Sequence, residues 1–124
     1  MNALELSDVR KIYTMGDGSD VVALDHATLT VADDEIVALV GPSGSGKSTL
    51  ARALVGVWRP PVGAGTIRLD GASLDQWSPA RLGRHIGYLP QDIQLFEGTV
   101  AENIARLDPE ATDEAIIAAA KVAG

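Results

Sequence analysis

Gly41-Pro42-Ser43-Gly44-Ser45-Gly46-Lys47-Ser48-Thr49 matches the phosphate-loop pattern G-x-x-x-x-G-K-[ST] at every fixed position. Residues 35–40 precede it with the sequence Glu-Ile-Val-Ala-Leu-Val, an apolar run that predicts a buried parallel strand. Residues 50–55 follow it with good helix formers and apolar side chains at helical spacing. Strand, glycine loop and helix are the context that the pattern requires. Residues 41–49, the phosphate loop, are therefore predicted to bind a polyphosphate; the alternative, a plain Gly/Ser-rich turn, would not need Lys47 and Ser48.

The glycines of the phosphate loop explain how the backbone itself could hold phosphate. Gly41, Gly44 and Gly46 lack a Cβ atom, so the chain can curl with its N–H groups turned inward and approach the phosphates closely. The N-terminus of the following helix adds unpaired N–H groups and the positive end of its dipole. The loop is therefore predicted to bind anions mainly through main-chain amides.

The polar side chains of the phosphate loop have separate predicted roles. Lys47 supplies the mobile cation and is expected on the β- and γ-phosphates. The Ser48 hydroxyl is placed to ligate Mg²⁺, and Thr49 to reach the α-phosphate. Ser43 and Ser45 lie between the glycines and are included in the predicted nucleotide site.

Composition limits the class of protein. The 124 residues are enough for one modest domain, and 46% of them are apolar. Seventeen acidic against ten basic residues give a net charge of −7, which argues against nucleic acid as a general partner. No apolar run approaches the ~20 residues of a membrane span, and the first nine residues alternate rather than form the apolar core of a secretory signal. The absence of cysteine excludes disulfides and thiolate metal sites.

The other segments predict an α/β fold. Residues 3–9 alternate and predict a strand, and residues 21–24 and 27–31 predict a second one; the two are expected to be antiparallel and joined by a loose hairpin. Residues 66–71 predict a short strand that ends in an Asp-Gly turn, and residues 86–90 predict a second buried strand. Short helices are predicted to begin at Ser78 and at the capping box of Thr99, and a last helix is predicted to open near Thr112, with acidic residues in its first turn.

Together these segments resemble the N-terminal half of the nucleotide-binding domain of ATP-binding cassette (ABC) transporters. Ile12-Tyr13 precedes the phosphate loop at the spacing where this family has an aromatic residue that stacks on adenine. Residues 88–92, Tyr-Leu-Pro-Gln-Asp, resemble the Q-loop of the family, whose glutamine contacts Mg²⁺ or the attacking water. Residues 95–104 resemble the stretch that faces the transmembrane partner in exporter-type members.

The resemblance implies a P-loop NTPase-like fold that uses ATP and Mg²⁺. It implies Lys47 and Gln91 as catalytic residues, Ser48 and Gln91 as Mg²⁺ ligands, and Tyr13 as the adenine platform beside the phosphate loop. Residues 1–91 correspond to the catalytic core and residues 92–124 to the start of the helical subdomain. The implied partners are transmembrane transporter domains. The implied location is the cytoplasm, at the inner membrane in the intact family, with this segment alone expected to be soluble.

Three elements of the family pattern do not occur in these 124 residues: the LSGGQ signature, a Walker B strand and the switch histidine. The nearest match to Walker B is residues 67–70, but Arg68 interrupts the apolar run and Gly71 stands where the catalytic Glu should be. Asp70-Gly71 is better interpreted as a hairpin turn. We therefore expect ATP binding with weak or absent hydrolysis by this part of a domain.

Several interpretations stay open. Residues 1–50 resemble lipoprotein-release or macrolide-export ATPases and residues 51–124 resemble type I secretion ATPases, which a recombined, engineered or unusual natural chain would explain. A structural module that self-associates through uncovered sheet edges, as a homodimer, is the alternative function. A compact P-loop kinase is less well supported because no lid or substrate hydroxyl site is evident. For Tyr13 the alternative interpretation is an ordinary strand residue, and for Gln91 it is a plain strand end. Trp58 and Trp77 are predicted to be packing residues.

Overall fold

The computed structural model describes residues 2–124. The chain divides into two compact units, Met1–Tyr88 and Leu89–Gly124. The first unit contains the sheet, the phosphate loop and the hydrophobic core, and the second contains two short helices. Strands and helices are mixed, as the predicted α/β class requires.

The sheet of the first unit has four antiparallel strands in the order β2-β1-β3-β4. They are β1 (Asn2–Thr14), β2 (Asp20–Ala32), β3 (Thr66–Leu69) and β4 (Ala72–Ser73). The predicted N-terminal hairpin is therefore confirmed, with both strands longer than predicted. Its long strands form the surface on which the rest of the unit packs.

A bulge in the hairpin sets which side chains reach the core. Leu6 and Val9 are three residues apart, an odd separation that would place them on opposite faces of a regular strand, yet both are fully buried. The register shifts between them, and Asp8 adopts a left-handed φ of 54°. Asp tolerates this conformation better than most residues. The bulge thus turns both apolar side chains to the same side.

The predicted Asp-Gly turn connects β3 and β4. Leu69 pairs with Ala72, so Asp70 and Gly71 form a two-residue hairpin loop with φ of 48° and 75°. Positive φ at both positions is typical of a type I′ turn. Arg68 Nη1 donates a hydrogen bond of 2.9 Å to the Gly71 carbonyl across this turn. The segment is a hairpin and not a Walker B strand.

Helices cover the sheet of the first unit. They are α1 (Lys47–Leu54), a 3₁₀ turn (Leu74–Gln76) and α2 (Pro79–His85). The predicted start of α2 is confirmed, since the Ser78 hydroxyl accepts a 3.3 Å hydrogen bond from the Arg81 N–H and Pro79 occupies the first helical position. The core combines side chains of the sheet and these helices: Leu6, Val9, Leu24, Leu50, Ala53, Ile67, Leu74 and Leu82.

The second unit contains α3 (Val100–Ile104) and α4 (Asp113–Ala123). Both begin where their caps predict: Thr99 forms a capping box with Glu102, and the Thr112 hydroxyl accepts a hydrogen bond from the Ala115 N–H. None of the described side chains of this unit is fully buried. Across residues 2–124 no helix combines the length and apolar character that crossing a bilayer requires.

Two predicted buried strands are wrong for this structure. Residues 35–40 and 86–90 are irregular, and Ile36, Val40 and Leu89 are 97%, 87% and 83% exposed. A parallel strand needs hydrogen-bonding neighbours brought by crossover connections. Within the described residues no strand pairs with either segment. Both segments are apolar in composition, but in the described residues no strand covers them.

Candidate functional site: the phosphate loop

Gly46 fixes the phosphate loop against the hairpin. It has a left-handed φ of 90° and is the N-cap of α1. A Cβ atom at this position would lie 2.5 Å from the Ala23 carbonyl oxygen of β2 and 3.6 Å from a Leu24 methyl group. Both the conformation and the close approach require glycine. The final glycine of the motif is therefore what lets the loop lie on β2.

Lys47 closes the loop from within. Its ammonium group donates hydrogen bonds to the Gly41 carbonyl at 2.5 Å, the Pro42 carbonyl at 2.7 Å and the Ser45 hydroxyl at 3.2 Å. A Cβ atom on Gly41 would lie 2.8 Å from Ser45 Oγ and 3.9 Å from the ammonium nitrogen. The chain thus curls around a single cation, with glycine at the tightest point of the curl.

The start of α1 adds hydrogen-bond donors beside this cation. The first helical hydrogen bond runs from the Leu50 N–H to the Gly46 carbonyl at 2.9 Å, so the N–H groups of Lys47, Ser48 and Thr49 precede the helical pattern. Glycine at the N-cap offers no side chain to bind them, and the first turn has no acidic residue. These amides, the helix dipole and the Lys47 charge together suit an anion.

The donor set also fits a magnesium nucleotide. Ser48 lies in the first turn of α1 with an exposed hydroxyl, an oxygen ligand of the kind that Mg²⁺ accepts together with phosphate oxygens and water. Ser43 and Ser45 are exposed in the loop, and Thr49 is half-buried. The described residues contain no group of three or more His, Cys, Asp or Glu that could hold a metal ion.

Tyr13 and the phosphate loop both contact strand β2. Tyr13 pairs with Val21 of β2, which lies two residues, about 7 Å along the strand, from the Ala23 that contacts Gly46. Tyr13 is 40% exposed. The predicted base platform therefore lies on the hairpin against which Gly46 of the predicted phosphate site packs.

Sequence reasoning missed the surroundings of Tyr13. The Lys11 ammonium lies 4.7 Å from the centroid of the Tyr13 ring and 4.7 Å from that of the Trp58 ring. The two-residue spacing of Lys11 and Tyr13 on one strand could have indicated the first contact, whereas no local signal indicates Trp58. An open pocket of about 390 Å³ adjoins them, lined by Arg10, Lys11, Ile12, Trp58, Pro61, Val62, Gly63 and Ala64.

Gln91 lies in the second unit, in an irregular and exposed segment after Pro90. The strand predicted before it does not form. Ser48, its predicted partner in Mg²⁺ binding, lies in the first unit. The joint role of Gln91 and Ser48 stays a prediction.

Two carboxyl groups have perturbed acidity, and both are involved in local turns. The Ser19 hydroxyl and N–H donate to Asp17 at 2.6 and 2.9 Å and lower the pKa of this carboxyl. The Thr99 N–H, at 2.6 Å, and then its hydroxyl lower the pKa of Glu102 below the ordinary value of 4.5. Hydrogen bonds to the charged form explain both shifts. These carboxylates stabilise a hairpin turn and a helix cap.

The chain is similar to proteins of one known family. The sequence profile of the ABC transporter family matches residues 24–124. The type I secretion system ATP-binding protein PrsD of Rhizobium meliloti (strain 1021) is 53% identical over 102 residues, 82% of this chain and 17% of that protein. The mycobactin import ATP-binding/permease protein IrtA of Mycolicibacterium smegmatis is 46% identical over 108 residues, 87% of this chain and 12% of that protein.

A solved structure gives the same result for the fold. A bacterial Atm1-family ABC exporter, determined with ATP bound, superposes with a TM-score of 0.77 and 34% sequence identity. The alignment covers 95% of this chain and 20% of the exporter chain. The chain thus spans at most a fifth of the relatives named here.

The comparison with PrsD also bears on the prediction that residues 1–50 and residues 51–124 resemble two different groups of ABC ATPases. The 102 aligned residues are more than lie between Ala51 and Gly124, so similarity to this secretion protein extends into the first fifty residues. The profile match likewise begins before the phosphate loop, at residue 24. With the matched profile, the solved exporter and the phosphate loop in agreement, the chain belongs to the ABC transporter family and contains part of its ATP-binding domain.

Proposed function

We propose that this chain binds ATP with Mg²⁺ through the phosphate loop and α1. The observation that carries the proposal is the position of Lys47, whose ammonium is surrounded by the carbonyls of Gly41 and Pro42 and the Ser45 hydroxyl. Phosphate oxygens are stronger acceptors for an ammonium than neutral carbonyls, because both partners are then charged. A bound polyphosphate would take over these hydrogen bonds and add those of the open amides at the start of α1.

The other site residues have the following proposed roles. Tyr13 provides the face on which adenine stacks, and its exposure and its place on the hairpin beside Gly46 support this. Ser48 ligates Mg²⁺, and Thr49 contacts the α-phosphate. Gln91 contacts Mg²⁺ or the attacking water.

We further propose that these 124 residues by themselves hydrolyse ATP weakly or not at all. The segment nearest to a Walker B strand is the β3–β4 hairpin, so Asp70 occupies a type I′ turn. Neither a Walker B strand with its following catalytic Glu nor the LSGGQ signature occurs in these 124 residues. Positioning and electrostatic stabilisation supply most phosphoryl-transfer catalysis, so their loss is expected to lower the rate by several orders of magnitude.

In the whole protein, we propose that ATP use drives transport through transmembrane domains at the cytoplasmic side of the inner membrane. The names of the relatives, a secretion ATP-binding protein and an exporter, support this. So does an apolar surface of the second unit, where Ile93, Leu95 and Phe96 are 75%, 80% and 65% exposed. Exposed apolar clusters of this kind mark protein contacts.

The test is calorimetric titration with MgATP and MgADP. Lys47→Ala removes the charge and is expected to weaken MgATP binding by at least about tenfold, the equivalent of one charged hydrogen bond. Lys121→Ala, on α4 in the second unit, is the matched control and should bind like the parent. Equal affinity of the parent and the Lys47→Ala variant would show that the phosphate loop is not the nucleotide site.

A second candidate function is self-association of a structural module. The observation that favours it is the exposed apolar segment 35–40, with Ile36 and Val40 almost fully exposed and unpaired within the described chain. An unpaired strand-forming segment is a template for pairing with a second copy. Light scattering across a concentration series tests this; a monomer at all concentrations, with or without MgATP, would rule out this candidate.

A further inference from the structure

Lys11 makes an arrangement that the proposed nucleotide site does not use. Its ammonium lies 4.7 Å from the ring centroids of both Tyr13 and Trp58, within the range of a cation–π interaction. No carboxylate in residues 2–124 forms an ion pair with it. The Lys11 side chain is half-buried, and the groups that face its charge are the two aromatic rings.

The two rings are anchored very differently. Trp58 follows α1, where hydrogen bonds of 3.1 Å from Val55 to Ala51 and 3.0 Å from Val57 to Arg52 close the helix end. The Trp58 side chain packs against the hydrophobic core. Tyr13 lies towards the end of β1, is 40% exposed and pairs with Val21, which is 49% exposed. Lys11 therefore lies between an exposed ring of the hairpin and a ring that packs against the core.

We propose that Lys11 is a positioning residue that orients Tyr13 for adenine, an inference that rests on the proposed role of Tyr13 as the base platform. The ammonium occupies one face of the Tyr13 ring and leaves the other face for a base. A cation on one face also draws electron density through the ring, which favours stacking of an electron-rich purine on the opposite face. Lys11 acts through Tyr13 and does not contact the phosphates.

The test compares two ligands that share phosphate chemistry and differ in the base: MgATP and magnesium tripolyphosphate. Lys11→Met keeps an unbranched, flexible side chain that is one atom shorter and removes the charge. It is expected to weaken MgATP binding about two- to fivefold, the range of an exposed cation–π contact, and to leave tripolyphosphate binding unchanged. Lys11→Arg should restore the MgATP affinity, because a guanidinium also stacks on aromatic rings.

The matched control is Lys121→Met, the same substitution in α4, which should change neither affinity. Near-ultraviolet circular dichroism establishes that each variant keeps its tertiary structure. A loss of equal size for both ligands would overturn the proposal, since it would mean that Lys11 acts through its charge on the phosphates. Unchanged MgATP affinity in Lys11→Met would overturn it as well.

Tyr13→Ala separates this inference from the proposed function. If Tyr13→Ala weakens MgATP binding and Lys11→Met does not, the platform stands and the role of Lys11 is wrong. If Tyr13→Ala leaves MgATP binding unchanged, the platform itself is wrong and the inference falls with it. In the Tyr13→Ala background Lys11→Met should have no further effect, and any additional loss there would contradict action through the ring.

Discussion

The two units of this chain are stabilised in different ways. All the side chains that are fully buried from residue 3 onwards lie in the first unit, where they join the sheet to α1 and α2. The second unit has no fully buried described side chain and depends on local hydrogen bonds, such as the Thr99–Glu102 capping box. Asn103 adds two bonds to the Phe96 main chain, at 2.8 and 3.0 Å. The phosphate loop thus packs against the unit that has a core, whereas Gln91, the predicted Q-loop residue, lies in the unit without one.

This difference predicts how strongly a substitution in each unit affects stability. Binding groups need support from side chains that packing holds in place, and Gly46 has it through its contact with β2. A unit stabilised by caps is expected to open locally at lower cost than one stabilised by a core.

The largest effect is expected for Gly46→Ala. The added Cβ would lie 2.5 Å from the Ala23 carbonyl at a left-handed φ of 90°, so the loop must leave β2. We expect the free energy of unfolding of the first unit to fall by about 4 kcal/mol, together with loss of MgATP binding. Gly44→Ala is the control: φ is 80° but no atom lies within 4 Å, so only about 1 kcal/mol of strain is expected. Equal losses in urea denaturation would contradict the close-contact argument.

A core truncation should distinguish the units directly. Leu6 is fully buried, and Leu6→Ala is expected to lower the free energy of unfolding by about 3 kcal/mol because it leaves a cavity. Ile117→Ala removes an aliphatic side chain that is 54% exposed on α4 and should cost no more than about 0.5 kcal/mol. Chemical denaturation of both variants measures the difference. Similar costs would mean that the second unit has a core of its own.

The capping box should have a smaller and local effect. Thr99→Ala removes the hydroxyl that accepts from the Glu102 N–H at 3.1 Å and is expected to cost α3 about 1 kcal/mol. Amide hydrogen exchange should increase in Val100–Ile104 and stay unchanged in the first unit. Thr112→Ala, the matched variant, should instead affect α4. Faster exchange throughout the sheet after Thr99→Ala would contradict the view that this cap acts locally.

The smallest effect is expected from protonation of the Glu102 carboxylate at low pH. The pKa of Glu102 is lowered in the folded cap, so its contribution to α3 is fully present above pH 4.5 and is lost as the pH falls through the folded value. NMR signals of α3 should therefore shift in the acid range below pH 4.5. Glu102→Gln should abolish this pH dependence, and Glu114→Gln in α4 should preserve it. An α3 transition that persists in Glu102→Gln would point to another group.

Sequence reasoning succeeded where the signal and its effect are close together in the chain. Ser78, Thr99 and Thr112 each bond an N–H three residues later, so the helix starts could be predicted from short patterns. The Asp70-Gly71 turn is equally local, since both residues must adopt positive φ in a two-residue hairpin loop. The helix after the glycine loop is local as well, since its start at Lys47 directly follows the motif, whereas phosphate binding by the loop stays a prediction.

The failures involve partners that are distant in the chain. Residues 35–40 have the composition of a buried strand, but a strand forms only where another one offers hydrogen bonds. Composition reports a preference for burial and does not say which segment provides it. The Lys11–Trp58 contact was missed for the same reason, since it depends on how α1 packs on the hairpin.

Residue types at short fixed spacings were sufficient to predict the family and the starts of the capped helices, and they carry the prediction of the phosphate loop. Only tertiary packing brings Gly46 onto Ala23, places Tyr13 on the same hairpin as Ala23, and sets Lys11 between the rings of Tyr13 and Trp58. It also decided that residues 35–40 stay exposed. These outcomes depend on packing between distant segments, whose energies are set by three-dimensional contact and not by neighbours in the chain.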